Sequence, residues 1–433
     1  LPRDSEPLPL MPNRHRTLFA STREGAQWWT ELFETLLWPK LASAWTLAFR
    51  PARIGLGVVL LILVALLARV PTLWLPKGDN GPLFVYYTQA VAGASKAVGG
   101  VINLKFPLFI DGVAQIAAEA PVAAIKHDAW STAAVAIPLL ALIAIFGGAI
   151  SRMAATEFAR GERISWTQAL SFSLRRGVAF TSTLAAPLIG ALVVGGIVAL
   201  AGWALLSIGW VQVGGAILYG LALLLILGAV LLLVGYVFGF PLLIPALACE
   251  GTDAIDAIQR AYAYVLGRPV RLIAYTLLSL AMMVALLTVV AGIGNATIRT
   301  TAIATTALTN DTVTEAVRSE VDGLVKPPPP TIDSLLLRTS APPTPKDYGT
   351  SLNTTKEIVN FWHNVVALLV AGIGVSYFFS SSTVLYLILR EINDGQDHTE
   401  LWTPERSAGF GSRKGEVPEV AGAGVGGAGE DLA

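Results

Sequence analysis

Charged residues and cysteine are both scarce in this sequence of 433 residues. Asp, Glu, Lys and Arg make up 14% of it, against roughly 25% in an average soluble domain. The single cysteine, Cys249, excludes an intrachain disulfide and any metal site built from several cysteines. Basic and acidic residues balance at 30 each, so nothing predicts a nucleic-acid partner. The sequence also lacks Walker-type nucleotide loops, zinc-protease motifs and serine-hydrolase elbows.

The scarcity of charge leaves long apolar runs. Hydrophobic residues make up 54% of the chain, and its mean hydropathy is +0.62. A helix needs about 20 mostly apolar residues to cross the hydrocarbon core of a bilayer. Stretches without any Asp, Glu, Lys or Arg that approach or exceed this length cover 54–68, 129–151, 178–249, 272–298 and 359–389. The pattern predicts an all-α, polytopic helical membrane protein.

Six transmembrane helices are predicted from these runs. The stretch 178–249 is too long for one helix, and "SIGWVQVGG" at 207–215 supplies a turn that divides it. Pro241 and Pro245 predict a kink in the fourth helix. The spans cover about 54–75, 130–151, 178–206, 212–247, 270–297 and 359–390, within a transmembrane domain of residues 54–397.

Lys and Arg are concentrated on one side of the predicted spans. They precede span one, lie between spans two and three and between four and five, and follow span six. Short connections rich in Lys and Arg stay cytoplasmic. We therefore expect both termini in the cytoplasm and outer loops at 76–129 and 298–358. Residues 1–53 form a cytoplasmic segment with an interfacial amphipathic helix, and the low-complexity tail, 398–433, is expected to be disordered.

Three joints of the chain share one arrangement. "AWTLAFRPARIGLGV" (44–58), "ALSFSLRRGVAFTST" (169–183) and "YAYVLGRPVRLIAYT" (262–276) each place Arg just before an apolar span. Apolar residues at three- and four-residue spacing upstream of the last two predict amphipathic helices. We expect an elbow at each joint, where a helix in the inner interface bends into a crossing helix. The domain would then consist of three units, each an elbow helix followed by two spans.

Arginines near the cytoplasmic ends of the spans are candidates for binding anionic lipid headgroups or partner proteins. They are Arg50, Arg53, Arg152, Arg160, Arg163, Arg175, Arg176, Arg268 and Arg271. In "SRMAATEFARGER" (151–163), an intrahelical pair of Glu157 with Arg160 is expected on a solvated helix end. The alternative is a docking surface shared with charged residues of the third elbow, namely Glu250, Asp253, Asp256 and Arg260.

Tryptophan is enriched in "WWTELFETLLWPKLASAW" (28–45), just before the first span. The indole ring suits the membrane interface because its body is apolar and its N–H is polar. We expect Trp28, Trp29, Trp38 and Trp45 to anchor this segment on the cytoplasmic leaflet. Alternatively, the segment packs as a helix on the protein's own cytoplasmic face.

Three further stretches carry a resemblance to known proteins. "GGAISRMAATEFARGERISWTQALSF" (147–172), "PALACEGTDAIDAIQRAYAYVLGRP" (245–269) and "VLYLILREINDGQD" (384–397) resemble a family of uncharacterised bacterial six-span membrane proteins. The elbow-plus-span repeat is more distantly similar to the membrane domain of glycerophosphodiester phosphodiesterases. No catalytic barrel follows here, so that activity does not carry over. The resemblance implies a multi-pass protein of the bacterial cytoplasmic (inner) membrane.

Two histidines are the only candidates for binding a haem or a metal. His127 precedes span two, and His363 lies near the outer end of span six. Histidines at similar depth are able to ligate haem or metal. The alternative is that they belong to interfacial anchors together with the neighbouring Trp130 and Trp362.

The outer loops differ from each other in composition. Residues 81–128 are apolar but interrupted by Gly99, Gly100 and Pro107. They predict two or three helices on the outer interface, or alternatively a re-entrant loop. Residues 300–358 are rich in Thr and contain "KPPPP", which favours extended, solvated chain.

Taken together, these features predict a non-enzymatic membrane scaffold or accessory subunit that docks through its elbows and outer loops. Its expected partners are membrane lipids and other membrane-protein subunits or a second copy, without a cofactor. The alternative is a transporter or lipid-handling protein for an apolar or lipid substrate, because repeated units and kinked helices are common in transporters.

Overall fold

The computed structural model describes residues 38–76, 79–207, 209, 211–267, 269–317, 350–397 and 399–402, to which every structural statement below refers. Helices account for 89% of these residues, and none of them is in a β-strand. The predicted all-α, polytopic helical fold is therefore confirmed. The predictions for residues 1–37, for residues 318–349 of the proline-rich loop and for the tail beyond 402 fall outside the described residues. Residues 300–306 and 350–358, at the two ends of that loop, were predicted as extended chain but are helical, because each continues a membrane-spanning helix.

The helices follow one another with short connections. In chain order they are α1 (Trp38–Ala48), α2 (Pro51–Arg69), α3 (Gly81–Ile102), α4 (Phe106–Ala114), α5 (Ala120–His127), α6 (Ala129–Arg160), α7 (Trp166–Arg175), α8 (Gly177–Leu206), α9 (Gln212–Glu250), α10 (Ala254–Gly267), α11 (Pro269–Thr306) and α12 (Thr350–Asp394). A 3-10 turn (Val70–Leu73) extends α2, and a π-helical turn (Gln115–Glu119) joins α4 to α5.

Seven helical segments of the described chain are long and apolar enough to cross a membrane. They are Pro51–Leu73, Phe106–His127, Ala129–Arg160, Gly177–Leu206, Gln212–Glu250, Pro269–Thr306 and Ser351–Asp394. Six of them lie at the positions of the six predicted spans. The additional segment, Phe106–His127, belongs to the first outer loop. The chain is thus an integral membrane protein with several membrane-spanning helices.

The last helix, α12, lies at the centre of the bundle, where it packs against α1, α2, α6, α9 and α11. From Thr383 to Arg390 every one of its residues is buried, as expected for a helix surrounded by others. Ser376 donates a hydrogen bond to the carbonyl oxygen of Ala48 at 2.9 Å, and the Tyr377 hydroxyl donates to that of Ser279 at 3.1 Å. These bonds tie α12 to α1 and α11.

The bundle is packed tightly at one end and open at the other. Buried side chains of α6 and α9 cluster in their C-terminal halves, next to the Arg-rich connections; we call this the basic end. In the first half of α9, by contrast, Ile217 and Leu224 are 77% and 66% exposed. Between residues 212 and 234 of α9, only Gly215 and Ala229 are buried. We call α9 before residue 235, with the half of α8 beside it, the α8–α9 arm.

The stretch predicted as the first outer loop is a compact antiparallel hairpin. α3 forms one arm, and α4, the π-helical turn and α5 form the other. The chain reverses at Leu104, which has a φ of 52°. Gly100 and Gly112 lie so close to backbone atoms of the opposite arm that a Cβ atom on either would collide with them. The short helices predicted for this loop therefore exist, but they pair with each other.

The base of this hairpin closes near the C-terminal end of α2 and the N-terminal end of α6. His127 Nε2 lies 3.2 Å from Asp79 Oδ1. The Trp74 indole donates to the Ser131 hydroxyl at 2.7 Å, and Ser131 donates to the carboxylate of Asp128, the residue before α6. The hydrogen bond from Ser131 lowers the pKa of Asp128 below its usual value. A continuous polar contact therefore links α2, α6 and both ends of the hairpin.

Short helices precede the first, third and fifth predicted spans, as the elbow hypothesis expects. They are α1, α7 and α10, and α2, α8 and α11 follow them. Ser165 caps α7, because its side chain accepts a hydrogen bond from Gln168 N at 3.3 Å and the Gln168 side chain bonds back to the Ser165 N–H. Pro51 starts α2 and Pro269 starts α11, where a missing N–H costs little.

Candidate functional site at the basic end of the bundle

The first charged cluster of the basic end is built around Glu157 of α6. Arg53 Nη2 lies 2.5 Å from Glu157 Oε2, and Arg50 Nη2 lies 2.5 Å from Oε1. The Arg163 Nε atom approaches Oε1 at 3.3 Å from the loop after α6. Because Pro51 opens α2 between them, Arg50 and Arg53 both reach the same carboxylate. Glu157 therefore joins the first elbow to the end of α6.

Arg53 is the most deeply buried member of this cluster. Its side chain is 1% exposed, and it also donates to the carbonyl oxygens of Leu47 and Met153 at 2.5 and 3.0 Å. A buried guanidinium group is costly unless it is paired and hydrogen-bonded. The two carbonyls and Glu157 meet that requirement within the protein, so Arg53 does not face lipid headgroups.

The second charged cluster is built around Glu250, the last residue of α9. Arg390 of α12 lies 2.7 Å from Glu250 Oε1, and Arg260 of α10 lies 3.4 Å from Oε2. The Tyr386 hydroxyl donates to the same carboxylate at 3.1 Å. Burial lowers the pKa of Arg260, but Glu250 together with Tyr386 and Tyr264 outweighs burial, so the pKa is raised. Glu250 thus fastens three helices at one point.

A neighbouring hydrogen bond extends this cluster. The Tyr264 hydroxyl of α10 donates to Asp394 Oδ2 at 2.5 Å, at the end of α12. Burial, followed by the Asp394 contact, raises the pKa of Tyr264. The third elbow is therefore attached to α12 through both Glu250 and Asp394.

The chain after α12 crosses the basic end as a short strap, defined here as residue 397 and residues 399–402. Arg390 donates to the carbonyl oxygens of Asp397 and Glu400 at 2.8 and 2.6 Å. Arg160 donates to that of Leu401 at 2.9 Å, and Arg152 to that of Trp402 at 2.6 Å. Three arginines from two helices thus hold the strap by its backbone.

The indole of Trp402 completes the attachment of the strap. Its backbone N–H donates to the carbonyl oxygen of Cys249 at 3.1 Å. The guanidinium carbon of Arg176 lies 4.5 Å from the ring centroid, a cation–π arrangement, and the Phe172 ring lies 6.1 Å away. Arg176 also donates to the carbonyl oxygens of Gly251 and Thr252. The second and third elbows therefore meet at Trp402.

The nine candidate docking arginines divide into three groups. Arg53 and Arg152 are 1% and 6% exposed, and both donate to groups inside the protein. For these two, neighbouring helices supply carboxylate and carbonyl acceptors inside the protein. Arg50, Arg160 and Arg176 are partly buried and engaged within the protein. Arg163, Arg175 and Arg271 are exposed, and Arg268 lies outside the described residues.

The expected pair of Glu157 with Arg160 does not form. Glu157 turns to the arginines of the first elbow and to Arg163, whereas Arg160 binds the strap. The predicted disordered tail also begins too early at 398, because residues 399–402 pack onto the bundle. Leu401, for example, is only 3% exposed.

The structure describes two of the four tryptophans that were predicted as interfacial anchors. Trp28 and Trp29 lie outside the described residues, and Trp38 opens α1. Trp45 is 37% exposed, and with Phe49 and Leu286 it lines an apolar groove of about 340 Å³ between α1 and α11. Interfacial anchoring by these residues stays a prediction.

The two histidines occupy different environments. His127 contacts Asp79 at the base of the hairpin, and His363 lies buried in α12 with 8% exposure. Among the described residues, no group of three or more His, Cys, Asp or Glu side chains lies close enough to hold a metal ion. The contact of His127 with Asp79 gives it a structural role at the hairpin base.

A cleft of about 890 Å³ opens between the second and third elbows. We call it the elbow cleft. Its walls are formed by Arg175, Arg176, Val178, Ala179, Ser182, Ala186, Gly251, Thr252, Asp253, Ala254, Ile255, Asp256 and Ile258. It contains charges of both signs beside apolar side chains, and it lies next to the charged clusters of the basic end.

Comparison with family models, with curated protein sequences and with solved structures finds no match to this chain. The interpretation of the basic end therefore rests on its geometry.

Proposed function

We propose that the protein is a non-enzymatic integral membrane component, a scaffold or accessory subunit of a membrane complex. The observation that carries this proposal is the exposure of the α8–α9 arm. Between residues 212 and 234 of α9, only Gly215 and Ala229 are buried. Membrane helices associate through closely packed faces rather than through apolarity alone, so the composition of this face matters.

The arm is rich in glycine on its exposed surface. A Cβ atom added to any of six glycines would meet no atom within 4 Å, at Gly195, Gly196 and Gly202 of α8 and at Gly214, Gly220 and Gly228 of α9. Glycine inside a helix costs about 1 kcal/mol relative to alanine. Small residues allow the backbone of another helix to approach closely. This surface therefore supports contact with a membrane helix of another subunit or of a second copy.

The basic end supports the same function because it holds the arm in a fixed orientation. α9 ends at Glu250, which pairs with Arg260 and Arg390, and α8 begins next to Arg176, which binds Gly251 and Thr252. Both helices of the arm are thus attached at one end to the rigid part of the bundle. A scaffold requires a surface that is presented in this way.

Replacing Gly220 or Gly228 by leucine tests the proposal. Neither side chain would collide within the chain, so the variants should fold, but each would block close approach of a partner helix. We expect the wild-type protein in mild detergent to elute with a stoichiometric protein partner or as a multimer, and both variants to lose it. Gly55→Leu, at an equally open position on α2, is the matched control.

A photoreactive residue at Leu224 supplies a second readout in native membranes. Leu224 is 66% exposed, and we expect adducts with another protein chain. The same photoreactive amino acid in place of Leu243, which is 0% exposed in the same helix, should give no adducts with another protein chain. A monomer in mild detergent together with lipid adducts alone at Leu224 would contradict the scaffold function.

A second candidate function, transport or handling of an apolar or lipid substrate, is favoured by the elbow cleft. Its volume of about 890 Å³ and its mixed lining suit part of a lipid molecule. Lipid that stays bound through purification, without a protein partner, would favour this second function.

We also propose that both termini face the cytoplasm of a bacterium, in its inner membrane. The distribution of Lys and Arg supports this orientation, and so does the resemblance to bacterial six-span membrane proteins. The proposed partners are membrane lipids and other membrane-protein subunits or a second copy.

A further inference from the structure

The elbow cleft carries charges that the two clusters of the basic end do not use. Arg175, at the end of α7, is exposed and takes part in no hydrogen bond or ion pair within the described residues. Arg176, beside it, is held at the wall by the carbonyl oxygens of Gly251 and Thr252 and by the Trp402 ring. The cleft therefore presents one free and one anchored guanidinium group.

The wall of the cleft beside Arg175 contains the first turn of a helix. α8 begins at Gly177 and runs for 30 residues. Backbone N–H groups of a first turn have no partner within the helix and carry partial positive charge. Next to Arg175, they add to a positive potential that suits a phosphate group.

The third elbow contributes the opposite charge. Asp253 and Asp256 line the cleft and are exposed, and neither has an ion pair among the described residues. A phosphate alone would be repelled by these carboxylates. A ligand that carries an ammonium group a few atoms from its phosphate would satisfy both sides of the cleft.

Apolar side chains border these charges. Val178 and Ile255 are 86% and 67% exposed, and Ala186 and Ile258 complete the apolar part of the lining. Phosphate, ammonium and acyl chain occur together in one class of membrane molecule.

We propose that the elbow cleft binds a zwitterionic aminophospholipid, with its phosphate at Arg175, its primary ammonium at Asp253 and Asp256, and an acyl chain along Val178 and Ile255. A lipid such as phosphatidylglycerol, whose headgroup carries no amine, lacks the cation that the two carboxylates require. A lipid with a quaternary ammonium lacks the N–H donors that form charge-assisted hydrogen bonds. The site is therefore selective for a primary amine.

Native mass spectrometry of the full chain in mild detergent tests this proposal. The protein is titrated with phosphatidylethanolamine, phosphatidylcholine and phosphatidylglycerol that carry identical acyl chains. Because a charge-assisted hydrogen bond contributes about a tenfold change in affinity, we expect phosphatidylethanolamine to bind about tenfold more tightly than either other lipid.

Two variants locate the site, and both replace exposed residues that make no recorded side-chain bond. Arg175→Gln should weaken phosphatidylethanolamine binding about tenfold. Asp256→Asn should reduce the preference for phosphatidylethanolamine over phosphatidylcholine. Arg271→Gln, an exposed arginine of the basic end outside the cleft, should bind like the wild type.

Equal affinity of the wild type for the three lipids would overturn the proposal. Equal effects of Arg175→Gln and Arg271→Gln would overturn it as well, because binding would then follow net charge alone. The proposal does not rest on the scaffold function. If the glycine variants lose their protein partner, their lipid selectivity should be unchanged. If Arg175→Gln or Asp256→Asn changes lipid binding, the protein partner should stay bound.

Discussion

The indole ring of Trp402 covers Gly251 so closely that a Cβ atom built on the glycine would lie 2.5 Å from Cδ2 of the ring. Gly251 ends α9 with a φ of 59°, in the left-handed region that favours glycine. Trp402 of the strap therefore packs against the C-terminal end of α9. Both the positive φ of Gly251 and its contact with the indole ring exclude a side chain at this position.

Replacement of Gly251 by alanine should destabilise the protein through both requirements. An L-residue in the left-handed region costs about 1–2 kcal/mol, and overpacking against Trp402 adds a further cost of about 1–3 kcal/mol. Gly161→Ala is the matched control, because Gly161 ends α6 with a φ of 68° and has nothing within 4 Å. Thermal unfolding in detergent, followed by circular dichroism, measures both. In a Trp402→Ala background the two glycine substitutions should cost the same, and a persisting difference would refute the contact.

Replacement of Glu157 by glutamine should strongly destabilise the basic end. It would leave Arg53, which is 1% exposed, without a counter-ion, and breaking a buried ion pair costs about 3–5 kcal/mol. Asp111→Asn removes the partner of Lys96 from a pair whose side chains are 59% and 44% exposed, and should cost less than about 1 kcal/mol. Denaturation of both variants in the same detergent compares them. Similar stabilities would show that Arg53 is not buried as described.

Stability should fall in alkaline solution because of Tyr262. Its hydroxyl donates to the carbonyl oxygen of Leu232 at 2.7 Å, and burial raises its pKa from 10.0 to about 12. Between these values the unfolded tyrosine has lost its proton while the folded one keeps it. The unfolded state then binds fewer protons, so the free energy of unfolding falls as pH rises. Below pH 10 this contribution is constant.

Tyr262→Phe isolates that contribution. The variant should be less stable at neutral pH by about 1 kcal/mol, because it loses a hydrogen bond, but its stability should decline less steeply between about pH 10 and 12. An unchanged slope in Tyr262→Phe would assign the alkaline loss to another group.

Cysteine labelling should place Glu162 and Leu308 on opposite sides of the membrane. Glu162 follows α6 at the basic end and is exposed, whereas Leu308 follows α11 at the other end and is 101% exposed. Cys249 is 0% exposed, so it should not react with a membrane-impermeant maleimide in the folded protein. In sealed cells we expect Leu308→Cys to react and Glu162→Cys to react only after permeabilisation. The reverse result would invert the proposed orientation.

The positions of the spans were predictable because each is set by local composition. An uncharged run of sufficient length predicts a membrane-spanning helix whichever helices it packs against. The arginines that precede these runs mark the elbows directly. The groups that the arginines contact were not predictable in this way. Arg53 and Glu157 lie far apart in the sequence, and only the packing of α2 against α6 makes them neighbours.

The hairpin and the strap show two further limits of local patterns. Gly99 and Gly100 suggested a break, but they lie within α3, where Gly100 allows the other arm to approach; the break falls at Leu104 instead. Trp402 was one aromatic residue beside a stretch that is rich in glycine and charge. Its signal was weak because the contacts that order it come from Arg152, Arg176 and Cys249, all distant in sequence.

Fastening at one end has a mechanical consequence for a protein in a bilayer. Glu157 and Glu250 hold the helix ends at the basic end together. We therefore expect these ends to keep a constant depth in the leaflet that surrounds them. Helices of 38 and 39 residues, α11 and α9, exceed the hydrocarbon thickness, and helices adapt to such a mismatch by tilting. Changes in bilayer thickness should therefore be taken up at the far ends, which spread or converge while the charged layer keeps its geometry.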